Sequence, residues 1–576
     1  MSRRIAVAVL LLFTTQTLPA RPASQSPQDV LLATPTAAGA LESSRRIDRE
    51  MHYAGTPGDE RLAQWMAGRL RAYGFRTTIE SFAALVPQPR LLALVIMTRH
   101  PVALNLRESG VPGDREGTRP DAGIPFNAGS ASGTVTAALV DAGQGRETDY
   151  AALAAANVRV RGKIVLVQYG AEFRGLLALR AQQHGAAAII FHNGPHSPSG
   201  VVQRGSLGNA IKIPVLPVSA AVARRLLGAN ARIRVTVREI LVRRRLWNTI
   251  GVLAGRSSKE VVLGGHRDAW VYGVTDNGDG ISTLLETAKA LGALARTGWK
   301  PRRSIVIAGW DGEELGELGS IAYERAHADR LRAQCVAYVN MDEGESGQIF
   351  GASAAAALAQ FVTSATARIM DPAQRTRSLL ARWQAQSDGA QVGAPGGGSD
   401  FEAFLYDTGI PTIDSGFGGP FGVYHSAFDD LHYARTQADP GFVNHRAMAQ
   451  LLAVMAYRLA DEPLRALYRL SPYARALRQD VATIVPSAHA GDVAPFAAAV
   501  ARFASRAQAA DGHVSDGILL DAVHRLNLIC YGRNGYAAVP LPELSAAVAT
   551  GDTSTIREAA VRAAAALDAI TAELSV

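Results

Sequence analysis

The sequence has little of several features that define whole classes of protein. Only two cysteines, Cys335 and Cys530, occur among 576 residues, which excludes a disulfide scaffold and a four-thiolate zinc site. After residue 20, no stretch reaches the ~18 uninterrupted apolar residues that a membrane-spanning helix needs. Aromatic residues make up 6% of the chain, and none is interleaved with the densest basic run, residues 243–245. The net charge of +8 therefore does not indicate a nucleic-acid partner. The two cysteines are compatible with one disulfide or with two buried thiols.

The remaining composition is typical of a globular protein with several domains. Hydrophobic residues make up 48% and charged residues 19% of the chain. At ~150 residues per domain, the length corresponds to three or four domains. Residues 1–20 combine Arg3 and Arg4 with an apolar stretch, residues 5–13, and a small-residue end at Ala20. This pattern predicts a signal peptide and an exported protein, periplasmic or extracellular, and the alternative is a buried N-terminal helix.

Short apolar strands alternate with helices in the middle of the chain. Residues 261–265, 304–309 and 336–341 (VVLGG, SIVIAG and VAYVNM) are apolar on both faces, and the periodicity predicts a long helix over residues 280–295. Such strands predict an α/β fold with a mixed, mostly parallel sheet flanked by helices. From residue 87 to about 245 the pattern favours a separate unit of short strands, with one at residues 135–140. After about residue 462 the pattern is helical.

Side chains that can bind metals follow the predicted strands or lie in two loops. They are His266, Asp268, Asp276, Glu313, Glu314, Asp342 and His425. Each of them alone is explained by a structural role such as a helix cap. However, the carboxyl ends of parallel strands meet at one edge of a sheet, so we expect these groups to lie together. Because so many acids at one edge would be destabilising without a counter-charge, the sequence predicts bound cations.

Two divalent ions about 3.5–4 Å apart, bridged by one carboxylate, would use two histidines and three carboxylates. Imidazole combined with carboxylate suits zinc. Only one of Glu313 and Glu314 is then needed as a ligand, and the other is placed to act as general base on the attacking water. Asp268 lies two residues after His266, and we expect its carboxylate to accept the second ring N–H of that histidine.

The segments GGHRDAW…TDN, AGWDGEELGELGS, YVNMD and YHSAFDDL together resemble the family of glutamate carboxypeptidase II and the transferrin receptor, within the di-zinc aminopeptidase clan. The resemblance covers nearly the whole chain after the signal peptide. It implies a zinc aminopeptidase-like peptidase domain in two parts, residues 29–86 and 246–463. It also implies an inserted protease-associated apical domain, residues 87–245, and a C-terminal helical dimerisation domain, residues 464–576.

The resemblance implies two zinc ions per chain and a role for each residue of the centre. His266 and Asp342 would hold one ion, and Glu314 and His425 the other. Asp276 would bridge both ions, and Glu313 would be the general base.

The resemblance to the family is weaker in the substrate pocket. The pocket residues that it implies are Arg174, Tyr424, Ser399 and Tyr536, with Arg174 at a C-terminal carboxylate of the substrate. Ser206 and Gly535 stand where the family has an asparagine and a lysine, and residues 412–418 lack the paired arginines of the upstream subsite. The sequence therefore leaves the subsite preference open.

The function implied is that of a secreted di-zinc metallo-exopeptidase that hydrolyses peptides or N-acyl amino acids, as a glutamate carboxypeptidase does. A homodimer through the C-terminal helical domain is also implied, with no nucleic-acid partner and no membrane span after signal removal. One alternative is a di-zinc aminopeptidase on the same fold. Another is a non-catalytic binding protein like the transferrin receptor, but all five ligand positions and the base carry competent residues.

Overall fold

The computed structural model describes residues 26–114, 116–170, 172–208, 211–386, 389–534 and 537–574. The predicted signal peptide and Tyr536 lie outside this part of the chain. Within it, no helix combines the length and the apolar character that crossing a membrane requires.

A nine-stranded sheet, counted over the described residues, forms the centre of the molecule. Eight of its strands follow one another in the spatial order Ile349–Ala354, Thr412–Gly418, Cys335–Asn340, Glu260–His266, Ser304–Trp310, Arg232–Leu253, Arg76–Met97 and Val102–Ala103, and Gly133–Ala137 also pairs with Arg232–Leu253. The four strands from Thr412–Gly418 to Ser304–Trp310 are parallel, and the flanking strands pair antiparallel to their neighbours. The predicted mixed sheet is confirmed.

Helices flank this sheet and bury its apolar strands. The helices of this part are Pro27–Ala33, Ala37–Ile47, Pro57–Ala72, Gly278–Arg296, Leu318–Gln334, Ala359–Thr366, Leu379–Gln386, Phe401–Thr408 and Val443–Asp461. The helix Gly278–Arg296 packs Leu284 and Leu291 into the same core as Val262 and Ile307 of the parallel strands. Each such side chain stabilises the fold by about 1.5–3 kcal/mol on burial.

Two strands are far longer than the sequence pattern predicts. Arg76–Met97 and Arg232–Leu253 each have 22 residues and pair along their whole length. The sequence predicts short strands from residue 87, but the first long strand continues past Pro87 and Pro89 with a register shift between Pro89 and Leu91. The two long strands therefore connect the central sheet to the inserted unit.

The inserted unit has a parallel sheet of its own, four-stranded over the described residues. Its strands are Leu139–Asp141, Ile164–Gln168, Ala188–His192 and Val215–Val218, and its helices are Glu147–Ala155, Arg174–Gln183 and Ala220–Leu227. The single strand predicted over residues 135–140 is wrong, because the chain changes sheets at Ala138. Gly133–Ala137 pairs with a long strand, whereas Leu139–Asp141 joins the smaller sheet.

The C-terminal part is helical, as predicted. Its main helices are Ser471–Ile484, Ala494–Ala510, Asp516–Cys530, Pro542–Thr550 and Thr553–Glu573, and a hairpin of Tyr531–Asn534 with Ala537–Pro540 lies between them. These helices share one continuous hydrophobic core with the central sheet. Cys335 and Cys530 are both within the described residues, and they are free and buried there.

Candidate active site

Three neighbouring parallel strands end at the edge of the sheet that carries the candidate site. His266 is the last residue of its strand, and it lies opposite Trp310 of the next one. Glu313 begins a short 3-10 turn three residues after Trp310, and Asp342 follows the strand Cys335–Asn340 by two residues. The strand register thus brings together residues that are 76 positions apart in the sequence (342 − 266).

Two groups of potential metal ligands form within the described residues, and they share Asp276. In the first group, His266 Nε2 lies 3.2 Å from Asp276 Oδ1 and 3.2 Å from Asp342 Oδ1. In the second group, His425 Nε2 lies 2.9 Å from Asp276 Oδ2 and 3.1 Å from Glu314 Oε2. Each oxygen of the Asp276 carboxylate therefore faces a different group, as a bridging ligand requires.

The chemistry of these donors fits cations. Asp276 Oδ2, Asp342 Oδ1 and Glu314 Oε1 are buried and accept no hydrogen bond. Such oxygens cost free energy unless a positive charge faces them. Two imidazoles and three carboxylates, one of which is shared between the groups, are a suitable ligand set for a zinc pair.

The pKa shifts follow from the same crowding of charges. Burial raises the pKa of Glu313 well above its usual value, and the nearby carboxylate of Glu314 adds to the increase. Burial also opposes ionisation of Asp276, but the imidazoles of His266 and His425, which face its two oxygens, outweigh burial and lower the pKa of this acid. For His266, burial favours the neutral ring, yet the surrounding carboxylates, Asp342 foremost, raise its pKa. The buried acids and imidazoles of the site thus shift one another's pKa values strongly.

Glu313 belongs to neither ligand group. Its Oε2 lies 3.8 Å from His266 Nε2, and its side chain is almost fully buried. Its backbone N–H donates to Asp268 Oδ1 at 3.1 Å, which fixes the start of the turn. The adjacent Glu314 points to the second group and accepts the indole N–H of Trp270 at 2.5 Å. The two glutamates therefore have different surroundings.

The partner of the His266 ring differs from the one expected. His266 Nδ1 lies 2.9 Å from the backbone carbonyl of Asp268, whereas the Asp268 carboxylate is 3.8 Å away. A turn that brings a carbonyl to the ring fixes the tautomer as well as a carboxylate does. The carboxylate instead holds the backbone of Glu313, which links the first ligand loop to the predicted base.

Further hydrogen bonds hold the other ligands. Asp429 accepts the backbone N–H groups of Thr275 and Asp276 at 2.8 and 2.9 Å, and the Asp276–Asn277 peptide bond is cis. Ser399 donates its hydroxyl to Asp342 Oδ2 at 2.5 Å. Ser399, which the resemblance assigns to the substrate pocket, therefore also orients a candidate ligand.

The loop of His425 is held by a residue that sequence reasoning missed. The backbone N–H of Arg204 donates to the His425 carbonyl at 3.1 Å, and His425 Nδ1 lies 3.3 Å from the Arg204 carbonyl. The Arg204 side chain is buried and pairs with Glu108 at 2.7 Å. Glu108 also accepts the backbone N–H of Ala427 at 3.1 Å. No sequence signal pointed to this pair, because Glu108 lies 96 residues from Arg204 (204 − 108) and in no motif.

We predict that Glu108→Gln destabilises the protein and weakens zinc binding. The substitution leaves the Arg204 guanidinium buried without its counter-charge, which lowers the free energy of unfolding by about 3 kcal/mol. It also loosens the loop of His425, so the affinity for zinc should fall about 10-fold or more. Melting curves and competition with a metal-sensitive dye would measure the two effects.

The matched control for this prediction is Glu172→Gln. Glu172 also pairs with an arginine, Arg180 at 2.7 Å, but this pair is partly exposed. Removing it should change the stability by no more than about 0.5 kcal/mol. Equal melting temperatures and zinc affinities for the two variants would show that the buried pair does not support the site.

A cleft opens directly onto the two ligand groups. Its inner cavity, about 330 Å³, is lined by Glu313, Glu314, His425, Arg174 and Tyr424, among others. The Arg174 guanidinium lies 3.3 Å from His425 Nδ1, and the Tyr424 ring stacks on the His425 ring with 3.7 Å between centroids. Both predicted pocket residues are thus beside the site.

The chain is similar to known peptidases. Residues 248–445 match the model of peptidase family M28, and residues 133–226 match that of the PA domain. The maize (Zea mays) protein named probable glutamate carboxypeptidase VP8 is 30% identical over 474 residues, which are 73% of this chain and 66% of that protein. Mouse (Mus musculus) aminopeptidase NAALADL1 is 27% identical over 73% of this chain and 70% of its own. This chain thus spans about two thirds of the length of the maize relative.

Solved structures agree on the fold. A zinc aminopeptidase from Bacillus subtilis superimposes with a TM-score of 0.54 and 20% identity, over 75% of this chain and 96% of the other. An aminopeptidase from Aneurinibacillus sp. strain AM-1 gives a TM-score of 0.51 and 18% identity, over 75% and 96% of the two chains. The predicted fold class, including the protease-associated insertion and the helical C-terminal part, is confirmed.

Proposed function

The chain belongs to peptidase family M28, among the relatives of the glutamate carboxypeptidases, and on this premise we propose that it is a di-zinc exopeptidase acting on small peptides or N-acyl amino acids. The observation that carries the proposal is the shared Asp276, whose two carboxylate oxygens face two separate ligand groups. In this proposal, His266 and Asp342 hold one ion and Glu314 and His425 the other. Zinc held there would polarise the scissile carbonyl and make the attacking water more acidic.

The residues of the chain perform the proton transfers in this proposal. The Glu313 carboxylate lies 3.8 Å from His266 Nε2, just outside the first ligand group, and it accepts the proton of the attacking water. It then delivers that proton to the nitrogen of the leaving amine. The Asp268 carboxylate holds the Glu313 backbone in place, so the base is oriented before the substrate arrives.

Two groups of the cleft orient the substrate. Arg174 offers a guanidinium to the C-terminal carboxylate, a contact that favours carboxypeptidase action. The Tyr424 hydroxyl stabilises the negative charge that develops on the carbonyl oxygen, and burial keeps this hydroxyl protonated by raising its pKa well above the usual value. Tyr536 remains a proposed pocket residue.

The proposal extends to location and assembly. The positive and apolar segments of residues 1–20 support export to the periplasm or the outside of the cell. The helices after residue 464 support a homodimer, because the resemblance assigns dimerisation to this part. Light scattering of the purified protein and N-terminal sequencing of the exported form would test the two proposals.

We predict that the protein, purified without chelator, contains about two zinc ions per chain and hydrolyses dipeptides only when they are bound. Prolonged dialysis against a chelator should abolish hydrolysis, and added zinc should restore it. Zinc content near zero together with no hydrolysis after zinc addition would instead favour a binding protein on this fold.

The two exopeptidase candidates, carboxypeptidase and aminopeptidase, differ in the terminus of the substrate that they recognise. The aminopeptidase candidate is favoured by the similarity to the mouse aminopeptidase. A carboxypeptidase cleaves N-acetylated dipeptides, whereas an aminopeptidase cleaves C-amidated ones. Cleavage of the C-amidated set alone would contradict the carboxypeptidase proposal.

A further inference from the structure

A second charged residue lines the cleft, with a charge opposite to that of Arg174. Glu343 and Arg174 both border the inner cavity of about 330 Å³. Both also border the adjoining outer cavity of about 640 Å³, and Tyr424 lines both cavities as well. A carboxylic acid and a guanidinium therefore face the same space directly beside the proposed zinc centre.

The two charges lie beside different ligand groups. Arg174 contacts His425, a member of the second group, at 3.3 Å. Glu343 follows Asp342, a member of the first group, and its backbone N–H donates to Asn277 Oδ1 at 3.2 Å. Glu343 thus follows a member of the first group and Arg174 contacts a member of the second, so a substrate that occupies the inner cavity would have both residues within the same space.

Glu343 has no structural role that accounts for its charge. Among the described residues, its carboxylate forms no hydrogen bond or ion pair, and it belongs to neither ligand group. Its backbone adopts a φ of +47°, which is unfavourable for a side chain of this size and is found where the surroundings enforce it. A third cavity, of about 420 Å³, also opens beside it. The side chain is half-buried at the junction of these spaces.

We infer that Glu343 binds the α-ammonium group of the substrate while Arg174 binds its carboxylate, so that unblocked dipeptides are the preferred substrate class. This inference rests on the proposed function and narrows it. An extended dipeptide spans about 7 Å between its charged ends, a length that fits on the two sides of one scissile bond. The inner cavity lies near the lower limit of ligand pockets, about 300–1,000 Å³, which suits a ligand of this size.

The test compares one dipeptide in four forms: unblocked, N-acetylated, C-amidated and blocked at both ends. The zinc-loaded wild type should show the highest kcat/KM on the unblocked form, with a loss of about 10-fold or more for each blocked end. Glu343→Gln keeps the size of the side chain and removes its charge. It should lower kcat/KM about 10-fold on the unblocked form and change the N-acetylated form less than about 2-fold.

The matched control is Glu172→Gln, which removes an acid from the outer cavity that is already paired with Arg180. It should leave the ratio between the unblocked and N-acetylated forms unchanged. The same ratio in Glu343→Gln as in wild type, or a wild type that prefers the N-acetylated form, would overturn this inference alone. Hydrolysis of no peptide by the zinc-loaded protein would overturn the proposed function and the inference together.

Discussion

Replacing Glu313 by glutamine is expected to lower turnover at least about 10²-fold while both zinc ions stay bound. Glutamine has the same shape as glutamate but cannot accept a proton from water. Glu313 belongs to neither ligand group, and its nearest approach to a ligand atom is 3.8 Å, to His266 Nε2. The loss should therefore appear in kcat for every substrate, and the zinc content, measured by atomic emission, should not change.

Glu314→Gln provides the control for this experiment, because it changes the neighbouring residue in the same way. Glu314 Oε2 lies 3.1 Å from His425 Nε2 in the second ligand group. This variant should lose zinc from that group as well as activity. If zinc were lost from the Glu313 variant and retained by the Glu314 variant, the roles proposed for the two glutamates would be reversed.

The positions of the candidate ligands could be predicted from the sequence because they follow from strand ends. Buried parallel strands can be recognised in a sequence by their apolar composition. The polar residues that follow such strands lie at one edge of the sheet. That is why the sequence alone predicts that His266, Glu313 and Asp342 lie together. Asp276 and His425 lie in loops, and although the sequence includes them among the candidates, only the resemblance implies the role of each at the ions.

The contacts that hold the ligands could not be predicted, since they depend on the path of the backbone. The carbonyl of Asp268, rather than its carboxylate, meets the His266 ring, and a sequence does not show the direction of a carbonyl in a turn. The backbone pairing of Arg204 with His425 joins segments 221 residues apart. Ser206, two residues after Arg204, matches a pocket position of the family, but no residue of this segment indicates a contact with a metal-ligand loop.

The two long strands were also missed, for a related reason. Strand ends are predicted from prolines and from breaks in the apolar pattern, and residues 76–97 contain two prolines. The strand continues past them because the register shift between Pro89 and Leu91 lets the pairing resume on the far side. On the second long strand, Arg232–Leu253, the charged run at residues 243–245 obscures the apolar pattern typical of a strand. These charges are compatible with a strand because residues 243 and 245 are exposed.

Replacing Asp276 by asparagine is expected to remove zinc from both ligand groups. Its Oδ1 lies 3.2 Å from His266 Nε2 and its Oδ2 lies 2.9 Å from His425 Nε2, so one substitution alters both groups. Asparagine has one acceptor oxygen and no charge, whereas each ion would need a negative oxygen. Because the proposed ions would stabilise the transition state by several kcal/mol, kcat/KM should fall at least about 10³-fold.

The comparison that makes this prediction specific is Asp342→Asn, since Asp342 belongs to the first group only. Zinc titration should give about one ion per chain for this variant and less than one for Asp276→Asn. Far-ultraviolet circular dichroism would check that both variants fold. We expect both to fold, because the parallel strands that carry the site are packed in the hydrophobic core. If Asp276→Asn kept two ions per chain, the carboxylate would not be a bridge. The two groups would then be independent sites, each completed by its own histidine and remaining acid.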